Sequence, residues 1–64
     1  MSTPRKSTKA RLIEAALDLF AERGVTETTT KAVAERAQVN EVTLFRNFGN
    51  KYRLLLAVIQ DSAV

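Results

Sequence analysis

Sixty-four residues with no Cys and no His allow one small domain. They exclude disulfides, thiolate nucleophiles, the commonest general base and the commonest metal ligands. Two glycines and one proline are too few for a many-turned β fold, and 45% hydrophobic residues are too many for a disordered tail. Ten Lys+Arg against seven Asp+Glu leave +3, a mild lean toward a polyanionic partner.

Residues 1–8 read as a flexible basic arm, with the single proline, the adjacent Arg5 and Lys6 and nothing apolar beyond Met1. This basic start is not followed by a continuous apolar run. The longest such run, residues 54–59, falls far short of a bilayer span. The expectation is a cytoplasmic chain with no membrane partner. Leu12, Ile13, Ala16, Leu19 and Phe20 then recur at helical spacing, with Glu14, Asp18 and Glu22 opposite. That pattern predicts helix one over residues 8–23, capped by Ser7 or Thr8 and stopped by a left-handed Gly24. Phe20, with Phe48 further on, is expected to anchor the core.

Thr28, Thr29 and Thr30 offer N-caps for a second helix over residues 30–37, whose apolar face is Val33, Ala34 and Ala37. Gln38, Val39 and Asn40 break it. Asn40 caps a third helix over residues 41–47, and Glu41 suits the positive end of its dipole. Gly49 and Asn50 end that helix, and Asn50 caps a fourth from Lys51 that carries Leu54, Leu55, Val58 and Ile59.

Two short helices joined by a three-residue turn make a helix-turn-helix. Small Ala34 and Ala37 permit a close crossing, and Val39 and Leu44 plug the angle. The predicted fold class is all-α: a three-helix, homeodomain-like helix-turn-helix domain over residues 9–50, plus the start of a fourth helix over residues 51–64. In such a unit helix three projects into a major groove while helix two lies over the backbone.

Several motifs also stand in a recognisable order. Leu12, Ala15-Ala16 and Leu19-Phe20-Ala21-Glu22-Arg23-Gly24 are followed by Thr29-Thr30-Lys31-Ala32-Val33-Ala34-Glu35-Arg36-Ala37. Val39, Thr43-Leu44-Phe45-Arg46-Asn47-Phe48, Asn50-Lys51 and Leu54-Leu55 complete the series. From about residue 9 to 59 the chain resembles the N-terminal DNA-binding domain of TetR-family transcriptional regulators. The resemblance implies a bacterial regulator, read as a repressor, that binds a double-stranded DNA operator and is not an enzyme. In that family a larger all-helical domain follows, binds a small-molecule effector and forms the homodimer. The effector is therefore not expected to bind this chain, and no cofactor or metal is implied.

Carried over by position, the resemblance places Lys31 near base edges or phosphates. Asn40, Glu41, Val42 and Thr43 open the recognition helix and face the groove. Phe45 stands where a tyrosine hydroxyl usually meets a phosphate, and Asn47 where a His or Tyr is often found. Lys51 matches a lysine on the phosphate at the start of helix four. Three positions depart from the family's pattern. Gln38 replaces the turn glycine, Phe45 lacks the hydroxyl, and Glu41 brings negative charge to a groove-facing turn, although a glutamate can accept from a cytosine amino group. Other residues keep two readings. Arg5, Lys6, Lys9 and Arg11 form either an arm on DNA or a solvated tail. Arg46 serves either a phosphate or solubility, and Phe45 reads as a semi-buried packing residue. The apolar excess of helix four suggests a missing partner surface, so the alternative function is a small helical protein-interaction module.

Overall fold

Each helix begins where a short polar side chain meets an orphan backbone amide. The computed structural model describes residues 7–62 and holds four helices: α1 (Thr8–Glu27), α2 (Thr30–Ala37), α3 (Glu41–Phe48) and α4 (Lys51–Ser62). Ser7 Oγ accepts from the Ala10 amide at 3.0 Å, and Thr29 Oγ1 from the Ala32 amide at 3.0 Å. Asn40 Oδ1 accepts from the Thr43 amide and Asn50 Oδ1 from the Arg53 amide, both at 2.9 Å. These bonds satisfy donors that the helices themselves leave unpaired. The arm residues Arg5 and Lys6 lie outside the described residues.

Two helix ends differ from expectation. Gly24 does adopt positive φ, but at φ 83 and ψ 161 it is extended rather than left-handed, and it kinks α1 instead of ending it. That region is open essentially to glycine alone. The helix resumes for residues 25–27, and the redirected chain brings Thr28 under α1. There the fully buried Thr28 hydroxyl donates to Gly24 O at 2.6 Å and Leu19 O at 3.2 Å. The three consecutive threonines thus divide their roles: Thr28 is a buried clasp, Thr29 caps α2, and Thr30 opens that helix. Thr28→Val keeps the shape but strips the donor from the Leu19 and Gly24 carbonyls, the first of them buried. It is expected to cost about 1–3 kcal/mol in urea unfolding, and an unchanged midpoint would show that the clasp contributes nothing. At the other end, α3 runs one residue past expectation, to Phe48, before Gly49 stops it at φ 95.

Between α2 and α3 the turn is built from backbone bonds. The Gln38 amide donates to Glu35 O at 3.1 Å and the Val39 amide to Ala34 O at 3.0 Å, the paired closure of a Schellman motif. Gln38 sits at φ 62 and ψ 41, the left-handed conformation that the family's glycine would supply without strain. Gln38→Gly is therefore expected to stabilise the domain by about 1 kcal/mol, an upward shift in melting temperature of roughly 4–8 °C. A lower melting temperature would show that unfolded-state entropy outweighs the relief of strain. Arg11 reinforces the same corner: its Nη2 donates to Ala37 O at 2.6 Å, so this member of the basic N-terminal cluster closes the end of α2.

Every helix contributes to one core. The largest fully buried side chains are Leu12 of α1, Val33 of α2, Leu44 of α3 and Leu54 of α4, joined by Thr28. Phe48 is buried beside them at 8% exposure. Phe20, expected as a second anchor, is only half-buried and packs on the margin of this cluster. Where α2 meets α3, Ala34, Ala37 and Leu44 are buried and Val39 packs against them, the packing that the small alanines predicted.

Candidate nucleic-acid interface

One face of α3 is organised by its own polar side chains. Asn40 Oδ1 accepts from both the amide and the hydroxyl of Thr43, at 2.9 and 3.0 Å. Asn47 Nδ2 donates to Thr43 O at 2.9 Å. Asn40, Thr43 and Asn47 thus share one connected strip along the helix. The Thr43 hydroxyl proton is committed to Asn40, which leaves an acceptor oxygen and a methyl group for outside contacts. Beside the strip, Val42 stands 62% and Phe45 43% exposed, and Arg46 is exposed as well. Phe45 is therefore more open than a semi-buried packing residue.

Glu41 is only partly exposed, and its Oε2 accepts from the Thr30 hydroxyl at 2.7 Å. The acidic departure from the family pattern is therefore tied to the first residue of α2 rather than loose in solvent. Lys31, next to Thr30, is exposed. Lys51 lies apart from the strip. Its ammonium donates to Val25 O at 3.0 Å and Thr28 O at 3.1 Å, bridging the start of α4 to the end of α1.

The cations sort into two groups. Arg23 pairs with Glu22 and Arg36 with Asp18, each at 3.4 Å on the surface, while Arg11 and Lys51 hold carbonyls. The side chains of Lys9, Lys31, Arg46 and Arg53 are exposed and make no hydrogen bond or ion pair with another described residue. Lys9 stands in the first turn of α1, and the other three stand near the start of α2, within α3 and near the start of α4. Most carboxylates instead lie along α1, at Glu14, Asp18, Glu22 and Glu27. The separation leaves net positive charge on the helix-turn-helix and the first turn of α4, the footprint expected of a surface that meets phosphates.

Sequence reasoning missed three members of this surface: Thr30, Tyr52 and Arg53. Tyr52 is 71% exposed, and the Lys51 ammonium lies 6.0 Å from its ring centre. The available signal was an aromatic residue between two basic ones at a helix start, directly after an N-cap. Among the described residues, no helix is long and apolar enough to cross a membrane.

A short helix packed over a second, with a polar strip on the second and unpaired cations around it, defines a helix-turn-helix DNA-binding domain. Comparison with known proteins agrees. Residues 12–58 match the family described as bacterial regulatory proteins, tetR family. The chain is 44% identical over 56 residues to the uncharacterised HTH-type transcriptional regulator YvkB of Bacillus subtilis, covering 88% of this chain and 30% of that protein. It is 44% identical over 59 residues to the HTH-type transcriptional repressor Rv3405c of Mycobacterium tuberculosis, covering 92% and 31%. It is 35% identical over 57 residues to the HTH-type transcriptional activator FasR of Mycolicibacterium smegmatis, covering 89% and 26%. A crystal structure of a TetR-like transcriptional regulator from Rhodococcus superposes with a TM-score of 0.83 at 33% identity, over 94% of this chain and 33% of that one. The chain belongs to the TetR family of bacterial regulatory proteins, as its DNA-binding domain, and its relatives are transcriptional regulators rather than enzymes. It spans about a third of the length of the relatives it matches.

Proposed function

We propose that the chain reads an operator with α3 in the major groove and represses the genes beside it. The observation that carries the reading is the Asn40–Thr43–Asn47 strip with exposed Val42 and Phe45 beside it, on a helix-turn-helix whose Lys31 and Arg46, with Arg53 at the start of α4, have exposed side chains free of ion pairs. In this arrangement Asn40, Val42, Thr43 and Asn47 meet base edges, with the Thr43 methyl suited to thymine. Lys31, Arg46, Lys51 and Arg53 face phosphates and set the register. Phe45, without a hydroxyl, gives an apolar contact to sugar or thymine methyl instead of a phosphate bond. Repression needs only occupancy of promoter DNA, and the name of the Rv3405c relative supports that sense. FasR shows that a related domain serves an activator.

In the full-length context a further domain is proposed to bind the effector and form the homodimer. Leu56 and Ile59, spaced at i and i+3 on α4, are both more than half exposed, which suits a stripe that such a domain covers. Alone, the chain is expected to be a monomer at micromolar concentration in sedimentation, holding one half-site weakly. A tight dimer would overturn that assignment of the dimer surface. DNA binding itself is tested by fluorescence anisotropy with promoter duplexes over a salt series. About four neutralised phosphates predict a log–log slope of roughly −3.6. Salt-insensitive binding, or none, would instead favour the interaction module that uses the α4 stripe.

A further inference from the structure

We infer that Thr30 determines operator specificity by aiming the Glu41 carboxylate at a cytosine amino group. The inference rests on the reading that α3 enters the major groove. Thr30 and Glu41 are the first residues of α2 and α3, and the 2.7 Å bond from Thr30 Oγ1 to Glu41 Oε2 joins the two helices at their starts. A hydroxyl donating to a carboxylate at that distance is a charge-assisted bond, stronger than a neutral one. It takes one carboxylate oxygen and makes no claim on the other. No second hydrogen bond to the Glu41 carboxylate forms among the described residues.

Holding the carboxylate has a chemical consequence in a groove. An untethered glutamate has several rotamers and would turn from the phosphates toward solvent. A tethered one stays, and its remaining oxygen can only accept. Guanine offers N7 and O6, both acceptors, and repels it. Thymine offers an acceptor and a methyl, and adenine's amino group lies beside the N7 acceptor. Cytosine offers N4–H₂ without an adjacent acceptor on the same base. Thr30 is thus a positioning residue: it touches no base, and its removal should be read out at one base pair.

Anisotropy at low salt tests this with a duplex selected by the parent chain from a randomised pool. Each base pair of that duplex is then exchanged singly. The parent chain is expected to lose about tenfold in affinity when one particular C·G pair becomes T·A. Glu41→Gln and Thr30→Val should each reduce that penalty to about twofold or less. The penalties at other positions and the salt slope of Thr30→Val should stay as in the parent. Thr30→Ser, which keeps the hydroxyl, should restore the cytosine penalty. Glu41→Gln should also bind unselected duplex more tightly, because a negative charge near phosphates is gone. Thermal melts of all variants identify any loss that comes from unfolding, which would weaken every duplex alike and which Thr30→Ser would not share. Thr30→Val with the parent's full set of penalties, or with uniform weakening in a folded protein, would overturn the inference while leaving DNA binding intact. A parent chain that binds no duplex would sink the groove reading, and this inference with it.

Discussion

Phe48→Ala is expected to remove most or all of the domain's stability. Phe48 closes α3 at 8% exposure and packs into the cluster where all four helices meet. Truncating a buried phenylalanine typically costs about 3–5 kcal/mol, because the surroundings relax only partly around the cavity. A domain of this size holds roughly 5 kcal/mol in total. Urea titration followed by circular dichroism should therefore show no folded baseline for the variant, or a midpoint near zero denaturant. Phe20→Ala is the internal comparison. Phe20 lies on the margin of the same cluster and is half-buried, so its loss should be about 1–2 kcal/mol, with cooperative melting retained. Equal losses for the two phenylalanines would mean that the core is centred on α1 rather than at the four-helix junction. DNA binding should fall with the folded fraction in Phe48→Ala, because α3 loses its seat.

The helix starts were legible because capping is local chemistry. Asn40 and Asn50 act three residues along the chain, and nothing distant alters what they do. The α2–α3 packing was legible for the same reason: small residues at Ala34 and Ala37 leave little else to pack there. Periodicity identified the buried face of α1 but could not rank its members, so Phe20 was overvalued against Leu12. The path of Gly24 was hidden because positive φ admits both a left-handed and an extended ψ, and only tertiary packing chooses. Least legible were the bonds between elements. Arg11 reaches Ala37 and Lys51 reaches Val25 across 26 residues, and Thr30 meets Glu41 across 11. A helical pattern says which face is polar, never which distant carbonyl or carboxylate that face will meet. For the site, the order of residues on α3 was readable. The commitment of the Thr43 proton to Asn40 was not, since it depends on a side-chain rotamer.

Lys51→Ala is expected to damage both folding and DNA binding, and the two effects can be separated. The Lys51 ammonium has three protons, and two are directed at Val25 O and Thr28 O. Those carbonyls end α1 and its connection, so the lysine acts on the negative end of one helix while sitting at the start of another. Losing a charged, partly buried donor of this kind costs about 1.5–3 kcal/mol, which lowers the urea midpoint whether or not DNA is present. The remaining proton and the charge itself are proposed to act on a phosphate. Removing them should weaken all duplexes alike and flatten the log–log salt slope by about 0.9. Lys51→Arg divides the roles. It keeps the charge, so the salt slope should return to the parent's value. Its planar guanidinium replaces a compact donor that fits between two carbonyls, so the urea midpoint should recover only in part. If Lys51→Ala lowered the midpoint but left the salt slope unchanged, Lys51 would be a strut between α1 and α4 alone. Phosphate contact at the start of α4 would then fall to Arg53, exposed and without an ion-pair partner among the described residues. The reverse result, an altered slope at full stability, would mean that the two carbonyls are equally well served by water, and that this lysine's contribution begins only when DNA arrives.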